Sequence, residues 1–412
     1  MPWELPLADW PGDRLSFREL PVGPSRHLVR FVEVGPVLYA FKEEPLAVAE
    51  GEFAVLRHLE DARLPAVVPA GLATDPVNGT AILATEYLAH SLQYRRLLGR
   101  FSLGPGRYRD RLLDAMAWLL VDLHRAGVYW GDCSLANTLF RRDGDLIQAF
   151  LVDAETSEVH PSLSDGQRAF DVEILVENVA FGLADLAALH DRRDDDDDAI
   201  EAAESVRDRY AVLWRELHDT PELPAGDRHA IRSRVRRLNE LGFAIDEITV
   251  DPLATGGSVR LHLAVSNRDF HARELQRRTG IVALEGQARL LLNDLAEYAA
   301  WLAWSGEIDL DEEAAAERWA RDVLGPTIGR LAPVIGAERD TIQAYCDVME
   351  HKWFLSERAG VDIGLDAAIS GYLERGAPAP EAGPGDATGM TLQIDWSAAI
   401  EATTDEDRSA TR

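Results

Sequence analysis

Apolar residues fall in changing rhythms along this chain. Over residues 15–42 they come in short alternating or β-branched runs at 16–20, 28–34 and 37–42, with Pro- and Gly-bearing breaks at 21–27 and Gly35-Pro36. Such runs between turn residues predict strands, here a three-stranded meander ending on Lys42. Over 46–60 the spacing lengthens: Phe53, Leu56 and Leu59 share one side of a predicted helix. Residues 65–72 and 80–88 return to strand-like runs. From 109 to 126, Leu112, Leu113, Met116, Leu119, Leu120 and Leu123 mark the apolar face of a long helix stopped at Gly127. Residues 138–140 and 149–152 predict a hairpin around Asp143-Gly144-Asp145, followed by helices over 171–190 and 199–217.

Strands followed mostly by helices predict an α+β domain of two lobes, a small β-rich one and a helical one. At 412 residues the chain exceeds one ordinary domain. The Thr-Pro-Glu-Leu-Pro-Ala-Gly stretch at 220–226 marks a boundary, and the pattern beyond it is mainly helical to 375, with a strand pair at 245–250 and 259–265 around Gly256-Gly257. Residues 1–13 hold three prolines and two tryptophans and read as an extended arm. Residues 376–412 mix Pro, Gly, Ala, Thr and acid, the composition of a disordered tail. The expected division is an arm at 1–13, a two-lobed domain at 14–220, a mainly helical domain at 221–375 and a tail at 376–412. No internal repeat is evident.

Composition narrows the function classes. A net charge of −29, from 71 acidic and 42 basic residues, argues against nucleic acid as a partner. No run approaches the ~18 apolar residues that span a bilayer, and no signal peptide is visible, so no integral membrane segment is expected. The two cysteines, Cys133 and Cys346, lie far apart, which fits neither a disulfide framework nor a metal-ligand spacing and points to a reducing cytoplasm. The acidic run 194–198 reads as a solvated loop, because contiguous carboxylates cannot all face one ion.

The candidate chemistry lies in Trp130-Gly131-Asp132-Cys133-Ser134-Leu135-Ala136-Asn137, with Asp153 sixteen residues after Asn137 at the end of an apolar run. A carboxylate, a carboxamide and a second carboxylate in this order suit phosphoryl transfer. Asp132 would meet an attacking hydroxyl as catalytic base, while Asn137 and Asp153 would ligate Mg²⁺ against the phosphates of ATP. Lys42 would reach the α- and β-phosphates, held by Glu52 from the next helix. Glu50 is the rival, but it lies about 200° away around the helix, and Glu52 is in register with the apolar face. The strand end Glu86-Tyr87-Leu88 would offer backbone groups to adenine. Gly23, Ser25, Arg26 and His27 would cover the phosphates. Taken singly these residues are ordinary: Asp-x4-Asn is a common cap or turn, and a strand lysine usually snorkels. Their order gives the pattern weight. Cys133 and Ser134 have no histidine placed to activate them and read as loop-shaping.

Longer strings carry a resemblance. Ser25-Arg26-His27 with Val29-Arg30-Phe31-Val32, Trp130 to Ser134 through Asn137-Thr138-Leu139-Phe140-Arg141-Arg142-Asp143, and Leu151-Val152-Asp153-Ala154-Glu155 are similar to a bacterial family of kinase-like proteins. That family is related to the lipopolysaccharide sugar kinases and carries a C-terminal domain of unknown function. In the second part the marks are 237–243, Gly286-Gln287-Ala288-Arg289 to Asn293-Asp294, and Glu350-His351-Lys352-Trp353 to Ser356-Glu357. The resemblance covers about residues 3–375. It implies a protein-kinase-like fold, a base at Asp132, metal ligands at Asn137 and Asp153, and the Lys42–Glu52 pair, but no particular substrate.

Departures from ordinary protein kinases refine this picture. Trp130-Gly131-Asp132 stands where those have His-Arg-Asp, so the loop needs another brace, for which Asp171 is the candidate. Asp153-Ala154-Glu155 replaces Asp-Phe-Gly. About 17 residues separate Asp153 from the expected next helix, too few for a peptide-holding segment. A small or sugar-containing hydroxyl acceptor is therefore expected. The alternatives are a nucleotide-responsive pseudokinase scaffold whose helical domain binds a protein partner, and an atypical Ser/Thr protein kinase. His271, Arg273, Arg277, Arg278 and Arg289 offer either an anion clamp or plain ion pairs on a packing domain.

Overall fold

The computed structural model describes residues 1–20, 26–98, 107–189, 196–253, 258–305, 311–336 and 339–378. Gly23, Ser25, Gly256-Gly257, Asp194-Asp195 of the acidic run and nearly all of the expected tail lie outside the described residues.

The first lobe is a five-stranded antiparallel sheet in the order β1-β2-β3-β5-β4. Its strands are β1 (Ser16–Arg18), β2 (Leu28–Val34), β3 (Val37–Pro45), β4 (Pro69–Asp75) and β5 (Thr80–Glu86), with α1 (Leu46–Asp61) between β3 and β4. Alternation decides what each face does. On β3, Phe41 packs with Val32, Ile82, Ala84, Leu7 and Trp10, so the 1–13 arm lies on the outer face. Lys42, the next residue, points to the other face, where α1 presents Ala49, Glu52, Val55, Leu56 and Leu59. The fourth strand begins later than expected. Residues 65–67 leave the sheet to bond Leu151 instead, through Leu151 N–H to Pro65 O (3.0 Å) and Val67 N–H to Leu151 O (2.9 Å). This tie joins the two lobes.

The second lobe comprises β6 (Leu92–Gln93), α2 (Tyr94–Leu98), α3 (Arg107–Arg125), β7 (Val128–Tyr129), β8 (Thr138–Asp143), β9 (Leu146–Leu151), β10 (Glu158–Val159), α4 (Asp165–Leu189) and α5 (Asp196–His218). All six apolar residues expected on the face of α3 are buried, and α3 forms the spine of the largest core with Val128, Trp130, Phe140, Val179 and Val206. Helix α4 begins at Asp165 rather than Asp171. Ser164 and Gln167 exchange bonds as a capping box (Ser164 N–H to Gln167 Oε1 3.0 Å; Gln167 N–H to Ser164 Oγ 3.2 Å), which starts a helix ahead of its apolar run.

The remainder holds β11 (Glu222–Pro224), α6 (Arg228–Glu240), β12 (Phe243–Pro252), β13 (Ser258–Arg268), α7 (Phe270–Thr279), α8 (Glu285–Ser305), α9 (Glu312–Trp319), α10 (Gly325–Ile335), α11 (Thr341–Ala359) and α12 (Leu365–Glu374). The three strands form a sheet in the order β11-β13-β12. Leu238 and Phe243 belong to the core of the second lobe, whereas the helices from α7 onward build two cores of their own. The architecture is α+β and kinase-like: a β-rich N-terminal lobe, a helical lobe and a mainly helical C-terminal part.

That C-terminal part grips the tip of the β8–β9 hairpin. Asp143 is fully buried and accepts the Gln287 N–H (2.8 Å), so a side chain of one region caps a helix of the other. Gly144 exchanges two bonds with Gln343 (2.8 and 3.0 Å), and Arg142 pairs with Asp347 at 2.6 Å in a buried contact. The C-terminal arginines are ion-paired: Arg273 with Asp269, Arg277 and Arg278 with Glu274, Arg289 with Asp145. These pairs are what the packing-domain alternative expects.

Candidate active site

Lys42 is where the lobes meet. Its Nζ lies 2.6 Å from Glu44 Oε1, 2.8 Å from Glu52 Oε2 and 3.2 Å from Asp153 Oδ1. Glu52 reaches it because α1 turns this residue inward; Glu50 is exposed. Burial works against the Lys42 ammonium, yet Glu52, Asp153 and Glu44 together carry its pKa well above the ordinary value. One ammonium does not neutralise three carboxylates. Burial accordingly pushes Glu52 up to about 8 against the pull of Lys42, with Glu44 and Asp153 adding repulsion. Glu52 also accepts the Ala154 N–H (3.2 Å), which fixes the backbone beside Asp153.

Asp132 sits in the loop between β7 and β8. Asn137 Nδ2 donates to its Oδ2 (3.0 Å) and to its backbone oxygen (3.1 Å), and Asn178 Nδ2 on α4 donates to its Oδ1 (3.4 Å) and to Cys133 O (2.8 Å). Asn137 spends its amide nitrogen on Asp132, so its carbonyl oxygen is the atom it could offer a metal. Asp153 Oδ1 takes Lys42 and the Glu155 N–H (3.2 Å), leaving Oδ2 as the second. A hard carboxylate oxygen beside the Lys42 ammonium is of the chemistry that fits a Mg²⁺–nucleotide pair.

Asp171 braces this loop from α4. Its carboxylate accepts the N–H groups of Trp130 (2.7 Å) and Gly131 (2.9 Å) and faces His124 Nε2 at 3.0 Å; His124 Nδ1 meets Tyr210 OH at 2.7 Å. Burial lowers the His124 pKa despite Asp171, so the neutral ring donates to Asp171 and accepts from Tyr210. Trp130 itself is buried in the core, which frees its backbone for this role. Gly131 is at φ +81°, and a Cβ there would lie 2.8 Å from Thr156 O, so only glycine fits beside Asp132. Asp171→Ala would strip three donors of their acceptor. At about 1–3 kcal/mol for each buried group left unsatisfied, a loss of about 3–5 kcal/mol is expected in urea unfolding, with Asp171→Asn recovering part of it.

The other expected residues are placed as follows. The side chain of Glu86 is exposed, its N–H donates to Val68 O (2.8 Å), and Leu88 O accepts from Ser91 Oγ (2.7 Å). Arg26 is exposed, and His27 Nε2 lies 3.2 Å from Glu155 Oε2 and 3.9 Å from Glu44 Oε1. Cys133 is fully buried, and burial raises its thiol well above its usual value, which disfavours the thiolate. Ser134 accepts the Asn137 N–H (3.2 Å) on its hydroxyl and the Thr138 hydroxyl (2.8 Å) on its backbone oxygen. Sequence reasoning missed Glu44, Glu155 and Asn178. Glu44 and Glu155 each stand two positions beyond a residue it found, Lys42 and Asp153, and on β3 that spacing repeats the face.

Comparison with known proteins matches two separate parts of the chain. The model of the Lipopolysaccharide kinase (Kdo/WaaP) family matches residues 37–191, and that of Domain of unknown function (DUF4032) matches residues 212–376. No curated protein matches the sequence. A solved structure titled "WaaP in complex with acyl carrier protein" aligns at 18% identity over 49% of this chain and 90% of that one, with a TM-score of 0.33. The first part of the chain is thus similar to the lipopolysaccharide kinase (Kdo/WaaP) family, and the part behind it to a domain of unknown function.

Proposed function

We propose that this protein is an ATP- and Mg²⁺-dependent phosphotransferase acting on a hydroxyl of a small or sugar-containing molecule. The observation that carries the reading is Lys42 Nζ bridging Glu52 at 2.8 Å and Asp153 at 3.2 Å across the cleft between the lobes. The kinase family model over residues 37–191 supports the same reaction class.

In this reading Asn137 and Asp153 hold Mg²⁺, which neutralises phosphate charge when bound. Lys42 binds the phosphates and gives up part of its carboxylate shell to them. Asp132, held by Asn137 and Asn178, orients the acceptor hydroxyl and takes its proton. The hydroxyl oxygen then bonds to the γ-phosphorus as the bond to the β-phosphate oxygen breaks, and ADP leaves with that electron pair. Between Asp153 and α4 the chain forms only the two-residue β10, a poor platform for an extended peptide and the reason to favour a small acceptor.

We assign residues 14–220 to this chemistry and 221–375 to a mainly helical domain that supports it. The reaction belongs in the cytoplasm, where ATP is made available. Among the described residues, no helix is long and apolar enough to cross a membrane. The grip of the C-terminal helices on the hairpin tip favours a second reading, a pseudokinase scaffold that reports nucleotide binding to a protein partner. ADP release with Mg²⁺-ATP separates the two: wild type should turn over and Asp153→Asn should do so far more slowly. Equal ADP release from both overturns the enzyme reading.

A further inference from the structure

Glu44 has no part in the proposed reaction, yet it is 2% exposed. One of its oxygens meets Lys42 at 2.6 Å, and the other, Oε2, accepts no hydrogen bond among the described residues. A buried carboxylate with a bare oxygen is costly unless something positive comes to it. The neighbours are suited to bring it. His27 Nε2 is 3.9 Å from Glu44 Oε1 and 3.2 Å from Glu155 Oε2, and one ligand atom from each of the three residues lies within 4.8 Å of the others. Donor separations near 3–4 Å are those around a cation with ligand distances of about 2.0–2.2 Å.

Three separate elements supply the donors. Glu44 shares a face of β3 with Lys42, and His27 lies one step beyond the Leu28–Glu43 pair of β2 and β3. Glu155 follows Asp153 across the cleft. Glu44, Glu52 and Asp153 surround Lys42, and Glu155 faces His27, so four carboxyl groups gather around one lysine and one imidazole.

We propose that His27, Glu44 and Glu155 form a second cation site, for a divalent transition ion that accepts imidazole as well as carboxylate, such as Zn²⁺ or Mn²⁺. It is separate from the Mg²⁺ position at Asn137 and Asp153. An ion there ties the strand β2 to the segment after Asp153 and so holds the two lobes together from inside the cleft. The inference needs no nucleotide and stands independently of the phosphotransferase reading.

The test is calorimetric titration of chelator-treated, full-length protein with Zn²⁺ and with Mn²⁺, without nucleotide. Wild type should bind one ion per chain. His27→Ala and Glu155→Gln, both at partly exposed positions, should each weaken binding at least about tenfold, with circular dichroism confirming that they fold. Asn137→Ala should bind as wild type does. No stoichiometric binding by wild type, or binding that survives both cluster variants and disappears in Asn137→Ala, overturns the proposal.

Discussion

Asp132→Asn is expected to lower kcat for ATP-dependent transfer by about 10²–10⁴-fold while nucleotide KM changes little. Asparagine keeps the size and planar shape of the side chain, and one oxygen can still accept from Asn137 Nδ2, which sits 3.0 Å away. What disappears is the basic oxygen that takes the acceptor's proton. Asp153→Asn differs in kind. It cuts the 3.2 Å contact with Lys42 and weakens a metal-ligand oxygen, so nucleotide KM should rise along with the fall in kcat. A loss confined to kcat marks a group acting in the transition state, whereas a change in both marks one that also binds substrate. Steady-state kinetics of the two variants over a range of ATP concentrations provides the check. Asp132→Asn turning over within a few-fold of wild type would remove Asp132 from the chemistry.

The parts of this site that were legible in the sequence are those set by local periodicity. The apolar run of β3 ends on Lys42, and the helical spacing of α1 distinguishes Glu52 from Glu50, because only one of them shares the buried face. The apolar face of α3 ends in a glycine, which places the Asp132 loop immediately after it. The residues that stayed hidden depend on contacts between distant segments. Glu43-Glu44 reads as a polar strand end, and only the folded cleft buries Glu44 against Lys42 and His27. Asn178 lies on the helix α4, where one polar residue looks like any other until the Asp132 loop folds onto it. Asp171, the brace expected at the start of a helix, stands in the second turn, because the capping box at Ser164 starts α4 earlier. The C-terminal arginines carried a readable signal: Arg277 and Arg278 follow Glu274 at helical pairing distance, and Arg273 follows Asp269 likewise.

Gly286→Ala should be among the most damaging small substitutions in the molecule. A Cβ at this position would lie 2.3 Å from the backbone oxygen of Asp143 and 3.0 Å from its Cγ. The approach is mutual, since a Cβ on Gly144 would come within 2.8 Å of Gly286 O. Neither partner can yield by turning a flexible side chain, so α8 or the hairpin tip must move. Movement opens the Asp143–Gln287 bond at 2.8 Å and strains the paired Gly144–Gln343 bonds, all of them buried. Overpacking costs about 1–3 kcal/mol, and each buried bond broken costs about 1–3 kcal/mol more. A destabilisation of about 3–5 kcal/mol in urea unfolding is therefore expected. Gly329 offers the contrast, because it lies on α10 with nothing within 4 Å of an added Cβ; Gly329→Ala should be neutral or stabilise by up to about 1 kcal/mol. The effect should also reach the site. Strand β8 runs from Thr138, directly after Asn137, to Asp143, so displacing its tip loosens the loop that aligns Asn137 with Asp132. Turnover in Gly286→Ala should fall even below the unfolding transition. Wild-type stability in this variant would mean that the C-terminal helices rest on the hairpin without holding it.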